Sequence, residues 1–262
     1  MSNEIKEQVK EAYTRVANSG AGCGCGPTCC DSPSQDWTLS ESYAKVDGYE
    51  AEADYALGCG IPTEHAKIKE GDTVLDLGSG AGNDVFVARR IVGDSGHVIG
   101  VDMTEAMIKR ANENKQKLGY ENVDFVLGEI EDLPLKDSSI DVAVSNCVLN
   151  LVPDKKKAYK EIYRVLNPGG HFSMSDIVIH GILPKGIMNA AEMYAGCISG
   201  ALRQEDYIQA IKEAGFKNIT ITKERIIEMP DDVLLSYVNQ QELEKFKESE
   251  NAVVSLGVYA EK

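Results

Sequence analysis

A glycine-rich turn at residues 76–84 is the first part of this 262-residue sequence with the composition of a ligand site. It reads DLGSGAGND and lies between a β-branched run and a stretch of helical periodicity. Glycines in such a turn let the backbone approach a ligand where a Cβ would collide. Asp102 ends the next apolar run, close to the spacing at which a carboxylate accepts hydrogen bonds from a ribose. The turn and Asp102 together predict a site for a nucleoside-bearing cofactor.

The order of the glycines argues against a dinucleotide. The dinucleotide pattern G-x-G-x-x-G would place its third glycine at position 83, which is Asn83. Asp76 adds a carboxylate that would repel a pyrophosphate but attract a cationic sulfonium or amino group. The turn therefore favours S-adenosylmethionine over a nicotinamide nucleotide.

Cysteines are the second set of residues that could do chemistry. Of the seven in the chain, we single out three that lie among small residues or directly after a predicted strand: Cys59, Cys147 and Cys197. A lone free cysteine is most often a small buried hydrophobe, but these contexts favour accessible thiols. Cys147 follows the carboxyl end of a predicted strand, where open α/β sheets bind ligands. Three soft thiolates around one centre would suit a thiophilic metalloid such as trivalent arsenic.

Strands that alternate with helices must position both sets of residues. β-branched runs predict strands at 74–77, 98–102, 123–127, 141–145 and 172–177. Helical periodicity separates them at 83–92, 104–118 and 155–166. This alternation predicts an α/β protein with a parallel sheet. Outside it we expect helices at 3–17, 185–201 and 204–214, and strands at 218–227 and 252–260.

The charge balance bears on partners and location. Lys and Arg number 27 against 42 Asp and Glu, which gives a net charge of −15. Such a surface repels the phosphates of nucleic acids and anionic lipids, so we expect neither a nucleic acid nor a membrane as partner. The first residues are too charged for a signal peptide, and no apolar run is long enough for a membrane span. We expect a cytoplasmic protein with reduced thiols.

The centre of the chain resembles the seven-stranded S-adenosylmethionine-dependent methyltransferases. It carries their motifs in order: VLDLGSGAG (74–82), VIGVD (98–102), GEIEDLP (128–134), DVAVSN (141–146) and LNPGG (166–170). The resemblance implies a Rossmann-like seven-stranded sheet. It also implies that the methionine end of S-adenosylmethionine is lined by Asp76, Gly78 and Gly80.

The same resemblance implies where the rest of the cofactor binds. Asp102 would hold the ribose, and Met103 would pack on the adenine, although ordinary core packing is an equal alternative for this methionine. Asn146 would face the reacting methyl group. The residues implied near the adenine edge are Glu129, Ile130 and Glu131.

The whole chain resembles the arsenite methyltransferases. Their three characteristic cysteines match Cys59 in GCG, Cys147 in SNC and Cys197 in CISGAL. The resemblance implies methyl transfer from S-adenosylmethionine to trivalent arsenic held by these thiolates, for arsenic detoxification. Arsenite or its thiol adducts would be the substrate. An external thiol reductant, such as thioredoxin or small thiols, would act between rounds.

A fourth cysteine of that family lies near the N-terminus and is matched less cleanly. Cys23, Cys25, Cys29 and Cys30 all fall in the same Gly-rich stretch. We assign Cys29 or Cys30 as auxiliary thiols. This stretch could instead chelate zinc, but its spacing lacks the paired C-x-x-C of a zinc finger.

Two other functions stay open at this point. One is a methyltransferase of an organic small molecule, quinone- or sterol-like, in which the cysteines are incidental. The other is a metalloid-binding module without catalysis, although a pure chelator has no need of the glycine turn and Asp102. The domain boundaries we expect are 1–70 for an N-terminal helical extension with a Cys-rich loop and a lid, 71–180 for the cofactor-binding core and 181–262 for a substrate-binding C-terminal α+β elaboration that completes the sheet.

Overall fold

The computed structural model describes residues 2–19, 39–188, 197–198 and 200–262. Seven strands lie in these ranges: Thr73–Leu77 (β1), His97–Asp102 (β2), Val123–Leu127 (β3), Ile140–Asn146 (β4), Leu166–His180 (β5), Lys217–Ile226 (β6) and Ala252–Glu261 (β7). They form one sheet in the order β3-β2-β1-β4-β5-β7-β6. Strands β1 to β5 pair in parallel, and β7 is antiparallel to both β5 and β6. The predicted α/β class is confirmed.

Helices pack on both faces of the sheet, and two further helices lie between strands β6 and β7 in the C-terminal part. Those in the described ranges are Ser2–Ser19 (α1), Asn83–Val92 (α2), Glu105–Leu118 (α3), Lys155–Val165 (α4), Lys185–Met188 (α5), Gln204–Glu213 (α6), Asp231–Leu235 (α7) and Gln240–Glu248 (α8). Among these described helices, none is long and apolar enough to cross a membrane.

Local sequence explains where helix α4 begins and ends. The Asp154 side chain accepts a hydrogen bond from the Lys157 N–H at 3.0 Å and so caps the first turn. Its apolar stripe, including Ala158 and Ile162, is fully buried. Helical geometry stops at Val165, because the following Asn-Pro-Gly-Gly segment disfavours it. Strand β5 starts at once from Leu166, earlier than predicted.

The order of the strands sets the position of the site. Strand β1 lies between β2 and β4, because the chain runs from β1 through β2 to β3 on one side and then crosses back to β4 on the other side. Ligands of open α/β sheets bind at such a switch point, outside the carboxyl ends of the strands. The glycine turn after β1, Asp102 at the end of β2 and Cys147 after β4 therefore meet at one edge of the sheet.

The C-terminal part differs from the prediction in two respects. The helix expected at 185–201 is described only as Lys185–Met188, and residues 189–196 and 199 lie outside the described ranges. It does not include Cys197, whose backbone φ of +64° is incompatible with a right-handed helix. Helices α7 and α8 were not predicted, although α8 has a capping box between Asn239 and Glu242.

Candidate functional site

A pocket opens at the carboxyl ends of β1, β2 and β4. It is lined by every residue that the sequence predicted for the cofactor: Asp76, Gly78, Gly80, Asp102, Met103, Glu129, Ile130, Glu131 and Asn146. Of the three predicted thiols, Cys147 also lines it. The strand order explains this convergence, since these residues follow different strands that end at the same edge.

The glycine turn is built so that its backbone faces the pocket. Gly80 has a φ of +51°, and a Cβ at this position would meet no atom within 4 Å. Its N–H donates to Asp102 Oδ2 at 3.0 Å, while the Thr104 N–H donates to Oδ1 at 2.8 Å. A Cβ at Gly78 would instead lie 2.6 Å from the Val148 side chain. Gly80 leaves room for a ligand, whereas Gly78 is required by packing.

Three buried carboxylates give the pocket its electrostatic character. Burial, together with repulsion from Asp84 and Asp102, raises the pKa of Asp76 well above its usual range. Burial also raises the pKa of Asp84 to about 6, and it raises the pKa of Asp102. A bound cation would relieve this repulsion and favour the ionised carboxylates. The pocket is therefore suited to a ligand that carries positive charge.

The pocket wall also has unused hydrogen-bonding capacity. Ser79 Oγ and Asn83 Oδ1 are buried and have no hydrogen-bond partner, and both residues line the pocket. Buried polar atoms in proteins nearly always have a partner, so an orphan in a cleft indicates a missing ligand or water. A cationic group and several hydrogen-bonding groups are what S-adenosylmethionine offers. The residues present fit that cofactor.

Helix α1 forms part of the pocket that the sequence did not predict. Lys6, Val9 and Tyr13 of this helix line it. Lys6 Nζ forms an ion pair with Glu129 Oε2 at 2.7 Å and a second one with Glu131. Both partners lie in the GEIEDLP motif, so α1 is tied to the predicted adenine edge. Only a tertiary contact between distant segments reveals this role.

The three thiols lie close together, and Cys147 connects them to the pocket that it lines. Cys59, Cys147 and Cys197 are free, and their exposed fractions are 0%, 2% and 2%. The Cys147 side chain is within hydrogen-bonding reach of both other thiols. Cys197 Sγ also donates to the Cys147 carbonyl at 2.8 Å. One cysteine after β4 thus joins a residue from the N-terminal part to one from the C-terminal part.

The expectation that glycines keep Cys59 accessible is wrong. The thiol is fully buried, and the adjacent glycines serve packing instead. A Cβ at Gly58 would lie 2.3 Å from Asn146 Nδ2, and one at Gly60 would lie 2.6 Å from Ser175 Oγ. Neighbouring small residues do not make Cys197 accessible either. The structure brings the three predicted cysteines together, but the accessibility expected from their small neighbours is wrong.

Burial and mutual contact control the state of these thiols. Hydrogen bonding to Cys197 and Cys59, followed by burial, raises the pKa of Cys147 well above its usual range. Burial is the main cause that raises the pKa of Cys59. Across the described ranges, no group of three or more His, Cys, Asp or Glu side chains has the arrangement of a metal-ion site. The three side chains are therefore adjacent, and the raised pKa values of Cys59 and Cys147 favour their neutral thiol forms.

Two further residues line the pocket that were not among the predicted site residues, Tyr43 and Asp84, and the Tyr43 hydroxyl donates to Asp84 Oδ1 at 2.7 Å. Asp84 belongs to the glycine-turn segment, so its position was a signal that could have been used. Tyr43 lies in the N-terminal extension, for which a lid was expected, but its contact with Asp84 was not predicted. The predicted auxiliary thiols Cys29 and Cys30 lie outside the described residues.

Comparison with known proteins gives a consistent result. A family model described as a methyltransferase domain matches residues 68–215. The arsenite methyltransferase of Halobacterium salinarum is 43% identical over 230 residues, which are 83% of this chain and 59% of that protein. The arsenite methyltransferase of Aquipseudomonas alcaligenes is 36% identical over 237 residues, 88% of this chain and 67% of that protein.

A solved structure is also similar. It is an arsenic(III) S-adenosylmethionine methyltransferase from Chlamydomonas reinhardtii, with a TM-score of 0.67 and 38% identity over 78% of this chain and 67% of that one. The chain spans about three fifths of the length of the Halobacterium salinarum relative. The matched residues include the glycine turn and Cys147. The chain belongs to the arsenite methyltransferase family of S-adenosylmethionine-dependent methyltransferases.

Proposed function

We propose that this protein transfers methyl groups from S-adenosylmethionine to trivalent arsenic held by the thiolates of Cys59, Cys147 and Cys197, and so detoxifies arsenic. One observation carries the proposal: Cys147 contacts both other thiols and also lines the pocket with the acidic, glycine-built wall. A thiophilic acceptor at these sulfurs would lie next to a bound cationic cofactor.

Arsenite can exchange its hydroxyl groups for the three thiols without the help of a base. Each of the three As–OH groups of arsenite is replaced by a sulfur, and each thiol proton leaves with the displaced hydroxide as water. The raised pKa values of Cys59 and Cys147 suit this exchange. They favour neutral thiols in the buried site before binding, and the arsenic trithiolate formed afterwards is also neutral. No uncompensated charge is buried at either stage.

The methyl transfer needs orientation more than acid–base chemistry. When bound, S-adenosylmethionine supplies an electrophilic methyl group. The arsenic lone pair would form the bond to this methyl group, and no proton has to be removed from the acceptor. Consistent with this, none of the four histidines, which all lie in the described ranges, lines the pocket. The thiolates hold the arsenic in place and exclude water from it, since all three sulfurs are buried.

The residues of the pocket have separate proposed roles toward the cofactor. Asp76 and Asp84 would balance its positive charge, and Asp102, fixed by two backbone N–H groups, would accept from the ribose. Met103 and Ile130 would contact the adenine. Met103 also packs against the apolar cluster that contains the three cysteines, which would place cofactor and acceptor side by side.

An external thiol is required between rounds. Methyl transfer leaves arsenic two electrons more oxidised, and two thiols can return these electrons as they form a disulfide. Thioredoxin or small thiols would then restore the reduced protein. Cys29 or Cys30 would serve as auxiliary thiols in this exchange.

The direct test is methylation by the purified full chain. Arsenite, S-adenosylmethionine and a thiol reductant are supplied, and methylated arsenic is measured by chromatography with elemental detection. Cys147→Ser or Cys197→Ser should abolish the product, because a hydroxyl is a poor ligand for a soft metalloid. The Cys29→Ser, Cys30→Ser double variant is the control and should still complete the first methyl transfer, because these thiols are proposed to act only between rounds. Undiminished methylation by Cys147→Ser would refute the proposal and favour an organic acceptor.

A further inference from the structure

The backbone of Cys59 is held from both sides. Its N–H donates to Asn146 Oδ1 at 2.9 Å. Its carbonyl accepts from Ser255 Oγ at 2.7 Å and from the Arg225 guanidinium at 3.1 Å. Cys59 lies in no helix or strand, so these side chains take the place of secondary structure in fixing it.

Asn146 forms the most extensive of these contacts. Its Oδ1 also accepts from the Gly60 N–H at 3.2 Å, and its Nδ2 donates to the Gly60 carbonyl at 2.8 Å. The amide therefore pairs with the peptide groups around Cys59 as a neighbouring strand would. The close approach requires glycine at position 58, because a Cβ there would collide with the amide.

A second layer fixes the orientation of the Asn146 amide. The two Nδ2 protons are shared between the Gly60 carbonyl and two further acceptors, the Tyr43 hydroxyl at 2.8 Å and Asp84 Oδ2 at 3.2 Å. The Tyr43 hydroxyl in turn donates to Asp84 Oδ1. A flipped amide would face two acceptors with its oxygen, so only one orientation satisfies the network.

The same short segment also fixes Cys147. Asn146 is the last residue of β4, and the N–H of the next residue, Cys147, donates to the Ser175 carbonyl at 2.6 Å. Cys147 has a φ of +61°, so the backbone leaves the extended conformation of β4 at this residue. Asn146 thus connects the residue before Cys147 to the backbone of Cys59, which lies 87 positions earlier in the sequence than Asn146.

We propose that Asn146 is a positioning residue that sets Cys59 in register with Cys147, with Tyr43 and Asp84 holding its amide. The inference rests on the proposed function, in which Cys59 is the third ligand of inorganic arsenite. It predicts a selective defect. Loss of the amide should act as loss of Cys59 alone, leaving Cys147 and Cys197 able to hold an arsenical that needs only two thiols.

The test compares two trivalent arsenicals on the full chain. Sodium arsenite can exchange three oxygens for sulfur, whereas methylarsonous acid can exchange only two. Asn146→Ala should weaken arsenite binding about 10- to 100-fold, because the three hydrogen bonds from the amide to the backbone of Cys59 and Gly60 are lost, and change methylarsonous acid binding by less than about 2-fold. Tyr43→Phe keeps the amide but removes one anchor, and should weaken arsenite binding by about 3- to 10-fold.

Ser173→Ala is the matched control. Ser173 Oγ donates to the Pro62 carbonyl at 2.8 Å, so this variant removes a buried hydrogen bond to the same segment without touching Cys59. It should leave the ratio of the two affinities unchanged. Equal weakening of both arsenicals in Asn146→Ala, or no weakening of either, would overturn the inference. Failure of the proposed function looks different: the wild-type protein would bind both arsenicals no better than Cys147→Ser.

Discussion

Two of the three thiol residues have backbone conformations that non-glycine residues rarely adopt. Cys147 and Cys197 have φ values of +61° and +64°. Each such residue costs about 1 to 2 kcal/mol relative to ordinary geometry. The Cys147 N–H is held by the Ser175 carbonyl, and Cys197 Sγ by the Cys147 carbonyl. Strain retained at two adjacent buried thiols is consistent with a functional constraint on both.

Gly80 gives a prediction at the residue scale. Gly80→Ala should weaken S-adenosylmethionine binding at least about 10-fold, because the new Cβ would occupy the space through which the cofactor approaches the backbone of Gly80. Isothermal titration calorimetry measures the affinity. Gly119→Ala is the matched control, since Gly119 also has a positive φ of +68° and open space around it, but does not line the pocket. Equal affinities in the two variants would contradict the assigned site.

Residue types alone located much of this site. The glycine turn, Asp102 and the three cysteines were predicted because each has a motif of its own. Tyr43 and the hydrogen bonds of Asn146 were not, because they depend on which segments meet in space. The burial of Cys59 could not be predicted either, since glycine neighbours permit both an open loop and a close packing contact.

Elements of the sheet were more predictable than those outside it. Strands β1 to β4 and helices α2 to α4 match the hydrophobic pattern within about two residues, because strands covered on both faces have long apolar runs. Helices α7 and α8 each bury few side chains, so their pattern is weak. Helix α1 was expected, but its place over the pocket was not.

Lys6 gives the prediction for helix α1. Lys6→Ala should increase the dissociation rate of S-adenosylmethionine several-fold, because the helix is then no longer tied to Glu129 and Glu131 at the pocket edge. Stopped-flow displacement measures this rate. Arg15→Ala, on the same helix but at an exposed position where the side chain donates to the Glu11 carbonyl, is the matched control. An unchanged rate in Lys6→Ala would show that α1 does not retain the cofactor.

At the scale of the whole molecule, a buried carboxylate links stability to pH. Asp176 is fully buried, and burial raises its pKa to about 7. Its Oδ2 accepts from the Tyr207 hydroxyl at 3.0 Å. The folded protein therefore binds this proton more tightly than the unfolded chain does. Stability from this group is complete below about pH 4 and declines until the pH passes the folded pKa of about 7.

Asp176→Asn should remove this decline. The gain in unfolding free energy over the wild type should be larger at pH 8 than at pH 5, by on the order of 2 kcal/mol. Urea unfolding at the two pH values measures it. Glu250→Gln, at an exposed position, is the control. A gain that is the same at both pH values would show that Asp176 does not carry the linkage.

Cys59, Cys147 and Cys197 come from distant segments that only the folded chain brings together. X-ray absorption at the arsenic edge, measured on the arsenite complex of the full chain, tests whether all three bind one arsenic atom. We expect sulfur as the only neighbour of the arsenic, with three As–S bonds that fall to two in Cys59→Ser. An oxygen-rich shell, or a spectrum unchanged in Cys147→Ser, would contradict it.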